Sequence, residues 1–182
     1  MCGGSLATST SAFLVLIVFI FQSHSSLGIA PQQAQQVCAC TNATKDVCLK
    51  MLNSDSAFKS APDCKTLVPR VAATLSEAVQ KTLDYANSLA AKNKDPKLKR
   101  LYEGCAVLYK DTSVRVHEAL EAAKAGNLSK VSEELEESEY NVHDCIIGPK
   151  ELNVTDPSNL WGYNKGVKAV LDTLTCVVKF AT

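Results

Sequence analysis

The stretch LKRLYEGCAVLYKDTSVRVHEALEAA, residues 98–123, carries mostly apolar side chains at alternating intervals of four and three residues. This interval places them on one stripe of an α-helix and predicts a helix that packs lengthwise against its neighbours in a bundle. The stripe consists of Leu98, Tyr102, Cys105, Tyr109, Thr112, Val116, Ala119 and Ala123. Because Cys105 lies in the stripe, a disulfide through it would cross the core.

Three further segments of the chain show the same spacing. Their predicted boundaries are Thr66 and Asn93 for the first, Asn127 and Gly148-Pro149 for the next, and Asp156-Pro157 for the start of the last. In the last segment the stripe consists of Leu160, Tyr163, Val167, Val170, Leu174 and Val177. Four amphipathic helices joined by short connections predict an all-α fold, an up-down-up-down four-helix bundle over residues 64–182.

Residues 31–60 are polar and rich in cysteine. Residues 32–40 and 46–52 predict two short helices, and Thr41-Asn42-Ala43-Thr44 between them is typical of a turn. We therefore expect an N-terminal helical hairpin closed by a disulfide, because so small a unit does not fold alone without a crosslink.

The first 30 residues contain no charged side chain, and an apolar run extends from Phe13 to Phe21. A run of this length is too short to span a bilayer and is typical of the core of a secretory signal peptide. We predict a signal peptide at residues 1–30 and one mature domain at 31–182, with no membrane attachment after cleavage. An uncleaved anchor is the alternative.

Lysine plus arginine equals aspartate plus glutamate at 19 each, which argues against a nucleic-acid-binding protein. Secretion exposes the cysteines to an oxidising environment, where most of them should pair. Seven of the eight cysteines lie after residue 30, so at least one is left over. Three Asn-x-Ser/Thr sequons predict glycosylation at Asn42, Asn127 and Asn153.

The cysteines Cys105 and Cys145 lie at similar distances on either side of the turn near Gly126. The two helices that meet at this turn run antiparallel, so the spacing predicts a Cys105–Cys145 disulfide. Cys48 needs a partner in the hairpin, either Cys40 or Cys38. Cys64 could form a disulfide with whichever of Cys38 and Cys40 is left over. Cys176 is interpreted as a buried small apolar residue.

No metal or catalytic motif stands out in the sequence, so we predict neither a metal site nor a cofactor and favour binding over catalysis. The histidines His117 and His143 lie too far apart along their helices to share a metal. We expect His117 to pair with Glu133 across the interface between their helices. The glutamates of residues 133–139 suit a solvated surface or, alternatively, a contact surface for a basic partner.

Several motifs together resemble the plant invertase and pectin methylesterase inhibitor family, over about residues 35–180. They are Val47-Cys48-Leu49-Lys50-Met51-Leu52, Asp95-Pro96-Lys97-Leu98-Lys99, the segment Tyr102-Glu103-Gly104-Cys105-Ala106-Val107-Leu108-Tyr109, the turn Gly126-Asn127 and the pair Asp144-Cys145. The resemblance implies a bundle with an N-terminal hairpin and two disulfides, one joining Cys48 to Cys40, with Cys38 as the alternative, and one joining Cys105 to Cys145.

The resemblance also implies the function: a secreted, non-enzymatic inhibitor that covers the active-site cleft of a plant cell-wall enzyme in a 1:1 complex. Pectin methylesterase is favoured as the target, because the Pro-Lys-Phe turn of many invertase inhibitors is absent here. Acid invertase is the alternative target, and a small-molecule or lipid carrier is an alternative of another class. We expect the protein in the apoplast or cell wall, with the vacuole as an alternative. The inhibitory surface is predicted at Asn127, Leu128, Ser129, Lys130, Glu133 and Glu137.

Overall fold

The structure is a computed structural model that describes residues 31–54 and 56–182, so the predicted signal peptide lies outside the described residues. Within these ranges the chain forms seven α-helices, one short 3₁₀ turn and no β-strand. The helices are α1 (Pro31–Cys40), α2 (Lys45–Ser54), α3 (Ser56–Lys59), α4 (Cys64–Lys92), α5 (Pro96–Lys124), α6 (Leu128–Glu151) and α7 (Leu160–Ala181), and the 3₁₀ turn is Asn42–Thr44.

Helices α4 to α7 form the bundle, with α4 packed between α5 and α7, and α6 packed against the same two helices on the other side. The hairpin α1–α2 packs on α7. The predicted all-α fold, a four-helix bundle with a disulfide-closed N-terminal hairpin, is confirmed.

Three bundle helices begin at capping residues that satisfy their free backbone N–H groups. The side chain of Asp63 accepts from the N–H of Thr66 at 2.8 Å, and that of Asp95 accepts from the N–H of Lys97 at 2.8 Å. Asn127 accepts from the N–H of Lys130 at 3.1 Å. Short polar residues at these positions therefore set where each helix starts.

The bundle core contains two tyrosines of the α5 stripe, Tyr102 and Tyr109, which are almost fully buried. Each hydroxyl donates a hydrogen bond, from Tyr102 to Asp156 Oδ1 at 2.6 Å and from Tyr109 to Asn164 Oδ1 at 2.9 Å. Burial, and after it the bond to the Asp156 carboxylate, raises the pKa of Tyr102 to about 12. These bonds offset the free-energy cost of burying two hydroxyl groups. The first joins α5 to the connection between α6 and α7, and the second joins α5 to α7.

Helix α6 does not end at Gly148-Pro149 as predicted but continues to Glu151. A proline in the last turn costs only one helical hydrogen bond, and apolar side chains beyond it, such as Leu152 and Val154, pack against the core. Two residues beyond the end of the helix, Asn153 has a positive φ of 50° and donates its N–H to the carbonyl of Lys150 at 3.2 Å. An asparagine accepts this left-handed conformation more readily than most residues.

Helix α7 begins at Leu160 rather than at Asp156-Pro157, and four of the six predicted stripe residues, Leu160, Val167, Leu174 and Val177, are buried. Tyr163, predicted to face the core, is exposed, whereas Asn164 is buried. The buried face consists of Leu160, Asn164, Val167, Leu171, Leu174 and Val178, widened by Ala169, Thr173, Cys176 and Val177. The face is wide because α7 contacts the hairpin as well as α4 and α6.

Three disulfides crosslink the described chain: Cys38–Cys48, Cys40–Cys176 and Cys105–Cys145. The structure joins Cys105 to Cys145, the pair that the sequence predicts, with their Cα atoms 5.0 Å apart. In the hairpin, Cys48 pairs with Cys38, so the preferred assignment to Cys40 is wrong. Residues two positions apart on a helix point in different directions. Cys38 therefore faces α2, and Cys40 faces α7.

The interpretation of Cys176 as an unpaired apolar residue is also wrong, because it forms the disulfide with Cys40. The cysteine left over is Cys64, which is buried at the start of α4 and unpaired. Its sulfur accepts a hydrogen bond from Gln33 of α1 at 3.4 Å. Burial raises the pKa of the Cys64 thiol, which makes it a poor nucleophile at neutral pH.

Peptide mapping under non-reducing conditions tests this connectivity. We expect one cluster in which the peptide carrying Cys38 and Cys40 is joined to the Cys48 and Cys176 peptides, with fragmentation by tandem mass spectrometry assigning Cys38 to Cys48 and Cys40 to Cys176, and a separate Cys105–Cys145 pair. We also expect iodoacetamide to label Cys64 only after unfolding in urea, because the native thiol is buried and protonated. A Cys40–Cys48 peptide, or equally fast labelling of Cys64 in the native and unfolded states, would contradict the structure.

Candidate docking face

The turn between α5 and α6 fixes how these two helices meet. Gly126 has a positive φ of 75° and donates its N–H to the carbonyl of Ala123 at 3.1 Å. Asn127 donates its N–H to the carbonyl of Ala122 at 2.9 Å while its side chain caps α6. This pair of bonds is a Schellman motif, which ends α5 and starts α6 within three residues. Asn127, one of the predicted inhibitory residues, is exposed, but its backbone N–H and its side chain both form hydrogen bonds within the turn.

Arg115 of α5 forms the centre of a polar network across the α5–α6 interface. Its guanidinium lies 2.8 Å from Asp111 of the same helix, 3.5 Å from Glu134 and 4.0 Å from Glu137 of α6. Asn141 of α6 donates a hydrogen bond to Asp111 at 2.7 Å. One arginine thus holds three carboxylates on two helices in a fixed arrangement.

Glu134 is the buried member of this network, with its side chain only about 5% exposed. It lies 2.5 Å from the ammonium group of Lys130, which also approaches Glu133 at 3.4 Å. A carboxylate buried to this extent must be paired, and Lys130 and Arg115 supply the two positive charges.

The hydrogen bonds of the network shift the pKa values of its members. The bond from Arg115, followed by the bond from Asn141, lowers the pKa of Asp111. The same bond to Asp111 raises the pKa of Arg115, and the bond to Glu134 raises the pKa of Lys130. Asp111, Arg115 and Lys130 therefore remain charged in a mildly acidic medium.

Exposed apolar side chains lie beside the network. Val107 and Val114 project from the outer face of α5, and Tyr140 projects from α6 next to Asn141. Next to Val107, a groove between α5 and α6 passes over the Cys105–Cys145 disulfide. We call the outer surface of α5 and α6, from this groove to the turn at Asn127, the docking face.

The predicted inhibitory residues lie at one end of this face. Ser129, Glu133 and Glu137 are exposed, and Lys130 is partly exposed and bound to Glu134. Leu128 differs, because it packs partly against the core.

Sequence reasoning missed Asp111, Arg115, Glu134 and Asn141. The available signal was the position of Glu134, which directly precedes the apolar residue Leu135, buried in the core, and so falls at the edge of the interface.

Two expectations from the sequence need correction. Glu134 belongs to the glutamate run that suited a solvated surface, yet it is buried. His117 is exposed and forms no ion pair within the described residues, while Glu133 pairs with Lys130 instead. Arg115 reaches α6 because its longer side chain crosses the interface from the position before the stripe residue Val116.

The three sequon asparagines, Asn42, Asn127 and Asn153, are all exposed. Asn42 and Asn153 have positive φ values of 48° and 50°, and each lies at the end of a helix or within a turn. Their exposure is compatible with the predicted glycosylation.

Among the described residues, no group of histidine, cysteine, aspartate and glutamate side chains is arranged to hold a metal ion. The same part of the chain contains no helix with the length and apolar character needed to cross a bilayer.

The model of the plant invertase/pectin methylesterase inhibitor family matches residues 32–174, most of the chain. The chain belongs to this family. Members of the family are inhibitors rather than enzymes, which supports a non-enzymatic role. The assignment supports a proteinaceous inhibitor of pectin methylesterase or invertase.

Two solved structures share the fold. A crystal structure of mutant form A of a pectin methylesterase inhibitor from Arabidopsis is 20% identical, covers 81% of this chain and 95% of its own, and has a TM-score of 0.72. A crystal structure of a pectin methylesterase inhibitor from Arabidopsis thaliana is 19% identical, covers 85% and 99%, and has a TM-score of 0.62. No curated protein matches the sequence. At these identities the two structures show the fold alone.

Replacing the buried carboxylate tests the polar network. We expect Glu134→Gln to lower the free energy of unfolding by about 1–2 kcal/mol, because it removes the negative charge that Lys130 and Arg115 share. Urea unfolding followed by circular dichroism measures this change. The control is Glu136→Gln on the exposed side of α6, which should stay within about 0.5 kcal/mol of the parent protein. Equal stability of the two variants would show that the network contributes nothing.

Proposed function

We propose that this protein is a secreted inhibitor of pectin methylesterase that uses the docking face to cover the active-site cleft of the enzyme. The complex is 1:1, and inhibition is steric, because the face obstructs the cleft without entering a reaction. Acid invertase is the alternative target.

The observation that carries the proposal is the combination of exposed apolar side chains with a rigid support. Val107, Val114 and Tyr140 are exposed on helices whose spacing is held by the Cys105–Cys145 disulfide and by the Arg115 network. A surface that is already ordered loses little conformational entropy on binding, so more of its contact energy appears as affinity. Aromatic side chains such as Tyr140 are also enriched at the centres of protein interfaces.

The charge of the face suits a basic partner surface. Glu133, Glu137 and Asp144 are exposed along the outer side of α6. Lys130 is neutralised by Glu133 and Glu134, so carboxylates dominate the α6 side of the docking face. Charge complementarity of this kind accelerates encounter and excludes partners of the same sign.

One feature of the sequence favours pectin methylesterase over invertase. The turn after α5 reads Asn127-Leu128-Ser129-Lys130 and lacks the Pro-Lys-Phe sequence of many invertase inhibitors.

A role as a carrier of lipids or small molecules has less support. The interior of the bundle is filled by apolar side chains from all four helices. The family assignment likewise favours inhibition over transport.

The site of action follows from the predicted signal peptide at residues 1–30 and the mature domain at 31–182. We propose the apoplast or cell wall, where disulfides persist and which proteins reach through the secretory pathway, in which exposed sequons are glycosylated. The vacuole is the alternative and would suit acid invertase as the target.

An inhibition assay with two matched variants tests both target and face. The purified mature chain should slow pectin methylesterase at micromolar concentration and mildly acidic pH, and leave acid invertase unaffected. Val114→Lys should weaken inhibition by about tenfold or more, because it places a long charged side chain in the centre of the interface.

Val47→Lys on the hairpin is the control, since Val47 is 50% exposed and Val114 is 56% exposed. Val47→Lys should inhibit as the parent protein does. If both substitutions weaken inhibition equally, the assignment of the docking face is wrong. If the chain inhibits invertase and not pectin methylesterase, the target is invertase. If the purified chain slows neither enzyme, the proposed function is wrong.

A further inference from the structure

A second concave surface lies on the other side of α6 from the docking-face groove, where the last turn of α6 meets the first turn of α7, and the two share Leu101 and Cys145 in their linings. We call it the Trp161 groove. Its apolar part is formed by Leu101, Ile146, Pro149 and Trp161, and its polar part by Asp156 and Lys150. A groove with an apolar floor and a few polar groups is the usual form of a small-ligand site.

Trp161 gives the groove an exposed aromatic surface. The residue is 50% exposed although it belongs to a bundle helix, and it is the single tryptophan of the chain. The face of an indole carries negative charge density and attracts groups with a partial positive charge. The C–H groups on one side of a sugar ring are such groups, so an exposed indole suits a pyranose.

Two ammonium groups accompany the indole. The Nζ of Lys165 lies 4.6 Å from the ring centroid of Trp161, within the range of a cation–π contact. Lys150 lines the groove from α6. Within the described residues neither lysine forms an ion pair, in contrast to Lys130 and Lys168, which hold carboxylates. Both charges are therefore available to an anion.

The carboxylate that lines the groove, Asp156, already accepts three hydrogen bonds from the protein. Its Oδ1 accepts from the Tyr102 hydroxyl at 2.6 Å and from the N–H of Ser158 at 2.8 Å, and its Oδ2 accepts from the Ser158 hydroxyl at 3.0 Å. The neighbouring Glu151 lines the groove on the α5 side instead. Lys150 in the lining and Lys165 beside the indole together outnumber the single carboxylate of the Trp161 groove.

A buried amide adds a donor at the base of the groove. Asn164 is only 3% exposed and lines the groove. Its Oδ1 accepts from the Tyr109 hydroxyl, whereas its Nδ2 has only the Cys145 sulfur at 3.3 Å as a partner in the described structure. Sulfur is a weak acceptor and an amide nitrogen has two N–H groups, so donor capacity remains for an oxygen of a ligand.

We propose that the Trp161 groove binds an acidic oligosaccharide built of uronic-acid units. One sugar ring stacks on the indole, its carboxylate lies against Lys165 and Lys150, and a ring oxygen or hydroxyl accepts from Asn164. The inference rests on the proposed function in one respect: binding here would hold the inhibitor on the polyuronate that its target enzyme modifies. The exposed side chains Val107, Val114 and Tyr140 of the docking face lie outside the lining of this groove and remain free.

The single tryptophan provides a direct readout of this site. The mature chain, made in an oxidising bacterial compartment so that no glycan is attached, is titrated at low salt with α-1,4-linked hexagalacturonate while tryptophan emission is followed. Maltohexaose, an α-1,4-linked glucose oligomer without carboxylates, is the matched neutral probe. We expect a saturable change in emission with hexagalacturonate and about tenfold weaker binding of maltohexaose, because the carboxylates lose their partners.

Charge variants locate the binding. Lys165→Gln and Lys150→Gln should each raise the dissociation constant for hexagalacturonate by about threefold or more, and together by about tenfold. Lys179→Gln is the control, since it removes the same charge from the opposite end of α7, and it should leave binding unchanged. Trp161→Ala, measured by calorimetry, should abolish binding, with circular dichroism used to verify the fold.

Equal binding of the two sugars, or equal effects of Lys179→Gln and Lys165→Gln, would overturn the proposal, as would unchanged binding by Trp161→Ala. The enzyme assay separates this proposal from the proposed function. If the chain inhibits pectin methylesterase but does not bind hexagalacturonate, only the groove assignment fails. If it binds the sugar and inhibits neither enzyme, only the inhibitor assignment fails.

Discussion

The antiparallel pairing of α5 with α6 is the constraint on which the rest of the structure depends. It is fixed at two points, the Schellman turn at Gly126 and the Cys105–Cys145 disulfide. The crosslink joins cysteines 40 positions apart. Closing a loop of this size lowers the entropy of the unfolded chain and stabilises the fold by about 4 kcal/mol in the chain-entropy model. Because the turn and the disulfide both fix the position of α5 along α6, the two helices cannot slide past each other.

This fixed register allows charged groups inside the α5–α6 interface. Burying Glu134 would be unfavourable without Lys130 and Arg115, and an arginine that forms ion pairs on two helices requires both to be accurately placed. The same rigidity lets Val107, Val114 and Tyr140 remain exposed on a surface that does not rearrange. The features that hold the bundle together are therefore the ones that prepare it to bind a partner.

The hairpin and the last helix form a second unit with its own crosslinks. Cys38–Cys48 closes the hairpin, and Cys40–Cys176 joins it to α7, 136 positions further along the chain. Thr44 adds a hydrogen bond to Asp172 of α7 at 3.1 Å. Lys168 lies where α6, α7 and the hairpin approach one another. Burial by itself lowers the pKa of Lys168, but the hydrogen bonds from its ammonium group to Asp172 and Glu139 raise the pKa by more, so this lysine stays charged. The hairpin thereby covers a side of α7 that would otherwise expose apolar residues.

The sequence by itself determined the features that depend on neighbours along the chain. The alternating interval between residues 98 and 123 specified the helix, and Asp95 and Asn127 specified where helices start, because caps and stripes act within a few residues. The Cys105–Cys145 pair followed from a single turn. Tertiary structure alone decided whether Cys38 or Cys40 bonds to Cys48, since both were close enough in sequence and only the position of α7 separates them. It also decided the rotation of α7 and the burial of Glu134, because these depend on contacts between segments far apart in the chain, which a periodic pattern does not record.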